Sequence, residues 1–319
     1  MNAAVLHSLG TAPKYDTFSD PVAAEGEAVI RVRAASLKSV DRQIAQGTHY
    51  ASPRELPVVC GLDGVGVVEN GKRVYFAGPR RPFGAMAEIA VVRRAQCFDL
   101  PDTIDDALAA ALVNPGVSAW LSLSHRAKLQ RGETLFILGA TGVTGQLAIQ
   151  VAKILGAKRV VAAGRNEEIL RRLPDFGVDA TISLRSTEDE LRESIAAELR
   201  GSGIHVILDY LWGNPAEQAL AALSQSEFAE IQYETRFVQV GESAGPRIQL
   251  PAAILRSRAV TITGTAGIPS REILMDAMQQ VLRLGAEGRL RMDIERVPLR
   301  DVESAWNREL PGRRVVFIP

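Results

Sequence analysis

The sequence predicts an α/β protein in which a doubly wound parallel sheet is inserted after a β-rich domain. Three observations carry this. Residues 134–264 alternate six apolar strand stretches with helical ones, the βαβ pattern of a parallel sheet. The first hundred or so residues carry short strands separated by turns. A lone apolar run at residues 314–318 needs a sheet to pair with, which returns the C-terminus to the first domain.

Each element has a local reason. Residues 28–35 alternate apolar and polar after the Glu25-Gly26-Glu27 turn, as a half-buried strand does. Residues 65–68 and 73–76 flank Glu69-Asn70-Gly71-Lys72, and an Asn-Gly pair between apolar runs signals a hairpin. Residues 84–92 give another strand. Near Thr103 the pattern changes: Thr103 reads as an N-cap with acids in the following turn, leading into a helix over 107–112. Strands follow at 134–138, 159–163, 180–183, 205–209, 236–240 and 260–264. Thr187-Glu188-Asp189-Glu190 is a capping box for a helix that Gly201 ends. The last stretch holds a helix over 271–284, then 297–298 and the terminal strand. The expected domains are 1–115 with 266–319, and 116–265.

Composition narrows the class. The chain has 319 residues, about two domains' worth, with 46% hydrophobic and 23% charged residues, and 37 basic against 37 acidic side chains. Disorder needs low hydrophobicity and high net charge. A nucleic-acid binder carries a basic face that shifts the total, so no nucleic-acid partner is expected. Cys60 and Cys97 are too few for a disulfide framework or a structural zinc cluster. The first ten residues lack a signal peptide's basic start and long apolar run, and no unbroken apolar stretch approaches 18 residues. The expectation is a cytoplasmic protein with no membrane span.

The motif that carries chemistry is the strand at 134–138 running into Gly139-Ala140-Thr141-Gly142-Val143-Thr144-Gly145 and then a helix with Gly156 at its end. Glycines let the backbone turn tightly and approach a pyrophosphate, while the helix N-terminus offers N–H groups to the anion. In this strand–turn–helix context the motif reads as a Rossmann-type dinucleotide site. The next strand ends in Gly164-Arg165-Asn166, with Arg165 twenty positions after Gly145. An NAD enzyme places an acid there for the ribose hydroxyls, whereas a guanidinium pairs with a 2′-phosphate. NADPH is the expected cofactor. Glu167 and Glu168 read as first-turn acids of the next helix.

The order and spacing of several landmarks resemble the zinc-free quinone oxidoreductase branch of the medium-chain dehydrogenase/reductase superfamily. They are Ser39-Val40-Asp41-Arg42-Gln43-Ile44-Ala45-Gln46-Gly47, Gly61-Leu62-Asp63-Gly64-Val65-Gly66, Asn114-Pro115-Gly116-Val117-Ser118-Ala119-Trp120, the glycine loop, and Val240-Gly241-Glu242-Ser243 through Leu250-Pro251. The resemblance covers essentially the whole chain and implies a GroES-like catalytic domain. It also implies two positions to inspect for zinc, where metal-dependent members carry Cys and His. Here they hold Lys38 and Leu62, neither an ordinary ligand, so no metal is expected. The Tyr-x-x-x-Lys pair of short-chain dehydrogenases is also missing: the residues four after Tyr15, Tyr50, Tyr75, Tyr210 and Tyr233 are Ser19, Arg54, Pro79, Asn214 and Phe237.

Without metal or an acid–base pair, the expected reaction is hydride transfer from NADPH to an electron-poor acceptor. A quinone or enone fits, because the developing charge delocalises and catalysis is largely positioning. By resemblance Tyr50 is an active-site tyrosine, stacking on a planar substrate or hydrogen-bonding its carbonyl; otherwise it is a packed or half-exposed loop residue. Lys38 stands where quinone oxidoreductases commonly have asparagine. It either steadies an enolate or donates a proton after desolvation lowers its pKa, or is a surface lysine or a partner for Asp41. Ser118 matches a residue beside the nicotinamide in relatives. Val240-Gly241 and Gly264-Thr265 end the last strands at the switch-point crevice. Trp212-Gly213 is a candidate border for the cofactor ribose, Asp41 and Asp63 read as structural, and both thiols read as inert. Two other readings stand beside this one: reduction of a conjugated C=C bond in an enone or enoyl thioester, and a low-turnover NADPH-binding redox sensor. By resemblance the protein is expected to be a homodimer.

Overall fold

The computed structural model describes residues 1–224, 233–265 and 270–319, and the chain divides into two compact units. One comprises Met1–Asn114 and Gln280–Pro319, the other Pro115–Gln279.

The first unit opens with β1 (Asn2–Leu6), β2 (Lys14–Thr17) and β3 (Glu27–Ser36), then α1 (Ser39–Gln46). β4 (Val58–Val59), β5 (Asp63–Val68), β6 (Arg73–Ala77), β7 (Ile89–Arg93) and β8 (Cys97–Asp99) follow. The Asn70-Gly71 hairpin forms as expected, pairing Val67 with Arg73 across β5 and β6. The predicted strand at 84–92 begins only at Ile89. Upstream of it the N–H groups of Ala85 and Met86 bond to the carbonyls of Gly61 and Cys60, so that stretch pairs with a loop. β1, β2, β4 and β8 carry too little alternation to announce themselves.

α2 (Asp106–Leu121) is longer than predicted and encloses Pro115. Its cap is Asp105, whose Oδ1 accepts the Leu108 N–H at 2.9 Å, and not Thr103. With the π-helical turn that follows it, Asp106–Arg126 is long and apolar enough to cross a membrane by length and composition alone. Two thirds (67%) of its apolar 18-residue stretch is buried within the protein, as in a core helix.

The second unit continues with β9 (Thr134–Leu138), α3 (Val143–Leu155), β10 (Arg159–Gly164), α4 (Glu167–Arg172), β11 (Ala180–Ser183) and α5 (Glu188–Ser202). β12 (Val206–Asp209), α6 (Gly213–Leu223), β13 (Thr235–Gln239), α7 (Ala252–Ser257) and β14 (Val260–Gly264) complete it. The six strands are parallel in the order β11-β10-β9-β12-β13-β14. The inner strands β9, β10 and β12, covered on both faces, read as nearly continuous apolar runs. Phe136, Phe237, Val161 and Ile207 are fully buried, each worth roughly 1.5–3 kcal/mol of apolar transfer. The capping box on α5 forms at both ends, Thr187 N–H to Glu190 at 2.9 Å and Glu190 N–H to Thr187 at 3.3 Å. The helix ends at Gly203, not Gly201, because Gly203 is the residue that turns left-handed (φ 68°).

α8 (Arg271–Ala286) contains the division at Gln279 and Gln280, downstream of the boundary expected at 266; residues 266–269 lie outside the described residues. β15 (Asp293–Pro298), α9 (Val302–Trp306) and β16 (Arg313–Ile318) close the chain. β16 pairs with β15 and antiparallel with β3, so the C-terminus completes the first unit's sheet, in the order β15-β16-β3-β5-β6-β8.

Candidate dinucleotide-binding site

The strand order of the second unit reverses on either side of β9, so neighbouring connections leave in opposite directions and a crevice opens at the carboxyl edge. The register keeps that edge level. Leu138 lies between Ala163 and Asp209, Gly164 pairs with Ser183, and Asp209 with Gln239.

The glycine loop leaves β9 at this edge, and its residues divide into two groups. Gly139 and Ala140 commit their N–H groups to the Ala163 carbonyl at 3.0 and 2.9 Å, so they hold the turn. Gly139 sits at φ 88°, in the left-handed region where a side chain is strained. Gly142 precedes α3 with no side-chain cap, and the N–H groups of Val143, Thr144 and Gly145 have no acceptor among the described residues. Those donors and the helix dipole are what a phosphate needs. A Cβ on Gly142 would meet only the Gly139 oxygen at 3.4 Å, so its surroundings are open, whereas one on Gly145 would lie 2.7 Å from Ala140 Cα. The third glycine thus lets helix and loop touch.

At the end of β10, a Cβ on Gly164 would lie 2.7 Å from Thr141 Oγ1, so Thr141 packs over this glycine and joins the two loops. Arg165 follows, exposed. Asn166 is the N-cap of α4, its Oδ1 accepting the Ile169 N–H at 3.0 Å. Glu167 and Glu168 lie in the first turn of that helix, as expected.

The other side of the crevice contains a residue that sequence reasoning missed. Asp209 ends β12 fully buried, and its carboxylate accepts N–H groups from Leu211 at 2.8 Å and Trp212 at 3.0 Å. Burial pushes its pKa up to about 6, against the lowering effect of those two donors. A strand-terminal acid beside Tyr-Leu-Trp carried no motif; the only available signal was an aspartate closing an apolar run. The Asp209 carbonyl also accepts the N–H groups of Val240 at 2.7 Å and Gly241 at 3.2 Å, joining the loops after β12 and β13. Trp212 holds φ 56° without being glycine, a strained conformation of the kind found at functional turns. Gly264, which ends β14, and Thr265 after it are exposed, and nothing lies within 4 Å of where a Gly264 Cβ would be. Ser118 is half-buried within α2.

In the first unit the two candidate catalytic residues differ sharply. Tyr50 is 96% exposed, its ring 4.0 Å from that of His49, so the packed alternative does not apply. Lys38 is 2% exposed and sits at the N-cap of α1. Its ammonium contacts Asp63 at 3.0 Å, Asp41 at 3.3 Å and the Ser36 carbonyl at 3.1 Å. An ammonium has three hydrogens, and its hydrogen bonds run to Asp63, the Ser36 carbonyl and, at 3.5 Å, the Ser36 hydroxyl, with Asp41 as an ion-pair partner. Burial alone lowers the lysine pKa, but the two carboxylates override it and hold the pKa above its ordinary value. This corrects the expectation of a proton donor sharpened by desolvation: Lys38 is a partner of Asp41 and Asp63. Asp41 also accepts the Lys38 N–H at 2.8 Å, Tyr75 hydrogen-bonds Asp63, and Arg314 donates to the Leu37 carbonyl at 3.1 Å. At the two positions inspected for zinc, this chain has an ammonium beside two carboxylates and the apolar Leu62. That donor set does not fit the metal. Among the described residues no cluster of three or more His, Cys, Asp or Glu side chains is arranged for a metal.

Comparisons with known proteins agree with this architecture. Residues 24–102 match the alcohol dehydrogenase GroES-like domain family, and residues 143–284 match the zinc-binding dehydrogenase family. Among curated proteins, the chain is 28% identical to a probable NADPH-dependent quinone reductase of Emericella nidulans over the full length of both chains. It is also 28% identical to a quinone oxidoreductase of Sus scrofa, over 84% of this chain and 79% of that one. Among solved structures, the Escherichia coli quinone oxidoreductase complexed with NADPH superposes with a TM-score of 0.85 at 22% identity, covering all of both chains. The fold and the glycine-loop site define an oxidoreductase of medium-chain architecture. The two domain matches together with these relatives support the quinone oxidoreductase branch of the medium-chain dehydrogenase/reductase superfamily.

Proposed function

We propose that this protein is an NADPH-dependent, zinc-independent reductase that transfers hydride to a quinone or similarly electron-poor acceptor. The observation that carries the reading is the carboxyl edge of the parallel sheet. An uncapped α3 N-terminus stands there beside a β10 that ends in Gly164 and is followed by Arg165, with no acid at the ribose position. The relatives named for NADPH and quinones support it.

On this reading the N–H groups of Val143, Thr144 and Gly145 bind the pyrophosphate, and Gly142 leaves room for it. Thr141 and Gly164 fix the loop, and Arg165 pairs with the 2′-phosphate. Asn166 acts through its helix cap. Val240, Gly241, Ser118, Gly264 and Thr265 shape the nicotinamide end. The bound cofactor supplies the hydride. Tyr50 offers a ring and a hydroxyl to the acceptor, and the Lys38–Asp41–Asp63 cluster positions the chain from β3 to β5. The expected surroundings are cytoplasmic, in keeping with two unpaired thiols. A homodimer is proposed through an edge of the parallel sheet, where β14 exposes half-buried Val260 and Ile262.

Arg165→Glu tests the cofactor assignment. The NADPH KM should rise sharply while the NADH KM stays near its original value. An unchanged NADPH/NADH ratio would remove Arg165 from the site.

A further inference from the structure

We infer that Arg185, which no sequence motif marks, is a second anchor for the 2′-phosphate and shares the selection of NADPH over NADH with Arg165. The inference rests on the NADPH reading above and adds a specificity residue to it.

The placement follows from strand register. β10 and β11 are parallel and pair Gly164 with Ser183, so their carboxyl ends are level. The Leu184 N–H donates to the Gly164 carbonyl at 2.9 Å, carrying the pairing one residue further. That step sets Arg185 beside Arg165. Arg185 Nε donates to the Arg165 carbonyl at 2.8 Å, and its backbone N–H donates to Ser183 Oγ at 3.3 Å.

This bond uses one of five guanidinium donors and spends it on a backbone carbonyl, so it orients the side chain without neutralising it. The terminal nitrogens of Arg185 and the whole Arg165 guanidinium have no partner among the described residues. Two guanidinium groups without a carboxylate partner thus follow the ends of adjacent strands, and like charges gathered in one region oppose each other. A phosphate monoester of about −1.5 to −2 charge removes that repulsion, while a neutral ribose hydroxyl does not. The acid nearest to Arg165 in sequence, Glu167, is held by the Ser183 hydroxyl in the first turn of α4, with Glu168 beside it in that turn.

The test is calorimetric titration of the intact protein with adenosine 2′,5′-bisphosphate and with 5′-AMP, which carry the adenosine half with and without the 2′-phosphate. Arg185→Ala should weaken the bisphosphate about tenfold and leave 5′-AMP within about twofold. Arg185→Lys, which keeps the charge but loses the fork, should fall between. Undiminished bisphosphate affinity in Arg185→Ala, with the wild-type preference intact, overturns this inference alone. Equal weakening of both probes also overturns it, because it assigns Arg185 to holding the loop. A wild-type protein that binds the two probes equally overturns the NADPH reading and this inference with it.

Discussion

At the scale of the residue, Lys38 shows how far chemistry depends on surroundings. Its position in the family's motif was legible in the sequence, and so was Asp41 as one of its alternatives. Its second carboxylate was not, because Asp63 lies twenty-five residues away and reaches it only when β3 and β5 pair. With the ammonium enclosed, Lys38→Met leaves two buried carboxylates without their counter-charge. Removing one partner of a buried ion pair costs about 3–5 kcal/mol. Urea unfolding of Lys38→Met should show a loss of that size, with NADPH affinity unchanged; a loss below about 1 kcal/mol would show that the cluster does not brace this region. Arg165 was the more legible residue, since its type and its twenty-residue spacing both bear on one ligand. Arg185 was illegible for the opposite reason, because its relevance comes from strand register alone.

At the scale of the element, the parallel sheet was read almost strand for strand. Strands buried on both faces are apolar throughout and are bounded by turn residues, so their sequence is distinctive. The short strands β1, β2, β4 and β8 were not read, because two to five residues give little alternation and their pairing is long-range. The loop after β12 has a consequence for pH. The Asp209 carboxyl titrates near pH 6 in the folded protein, against an ordinary value of 3.8. Between those pH values the folded state binds the extra proton, so stability falls as pH rises from about 4 to about 6, and is then level. The expected loss is roughly 3 kcal/mol. Asp209→Asn keeps an oxygen for the Leu211 and Trp212 donors and carries no charge. Denaturant melts at pH 4.5 and 7 should therefore show wild type losing stability relative to Asp209→Asn as pH rises. Parallel behaviour of the two proteins would mean that Asp209 titrates in its ordinary range.

At the scale of the whole molecule, both halves of the architecture follow from sequence pattern. A β-rich unit is completed by the C-terminal strand, and a parallel α/β unit carries a glycine loop. The cofactor end was legible because a phosphate demands particular backbone, and glycines record it. The acceptor end was less so, since hydride transfer to a delocalised acceptor asks for position more than for particular side chains. The most direct test is consumption of NADPH by purified, chelator-treated protein offered a benzoquinone, a naphthoquinone, an alkyl enone and an enoyl thioester, with NADH in parallel. The account predicts turnover with the quinones, preference for NADPH and no loss on chelation. Turnover that disappears with the chelator and returns with zinc, or an equal rate with NADH, would contradict it.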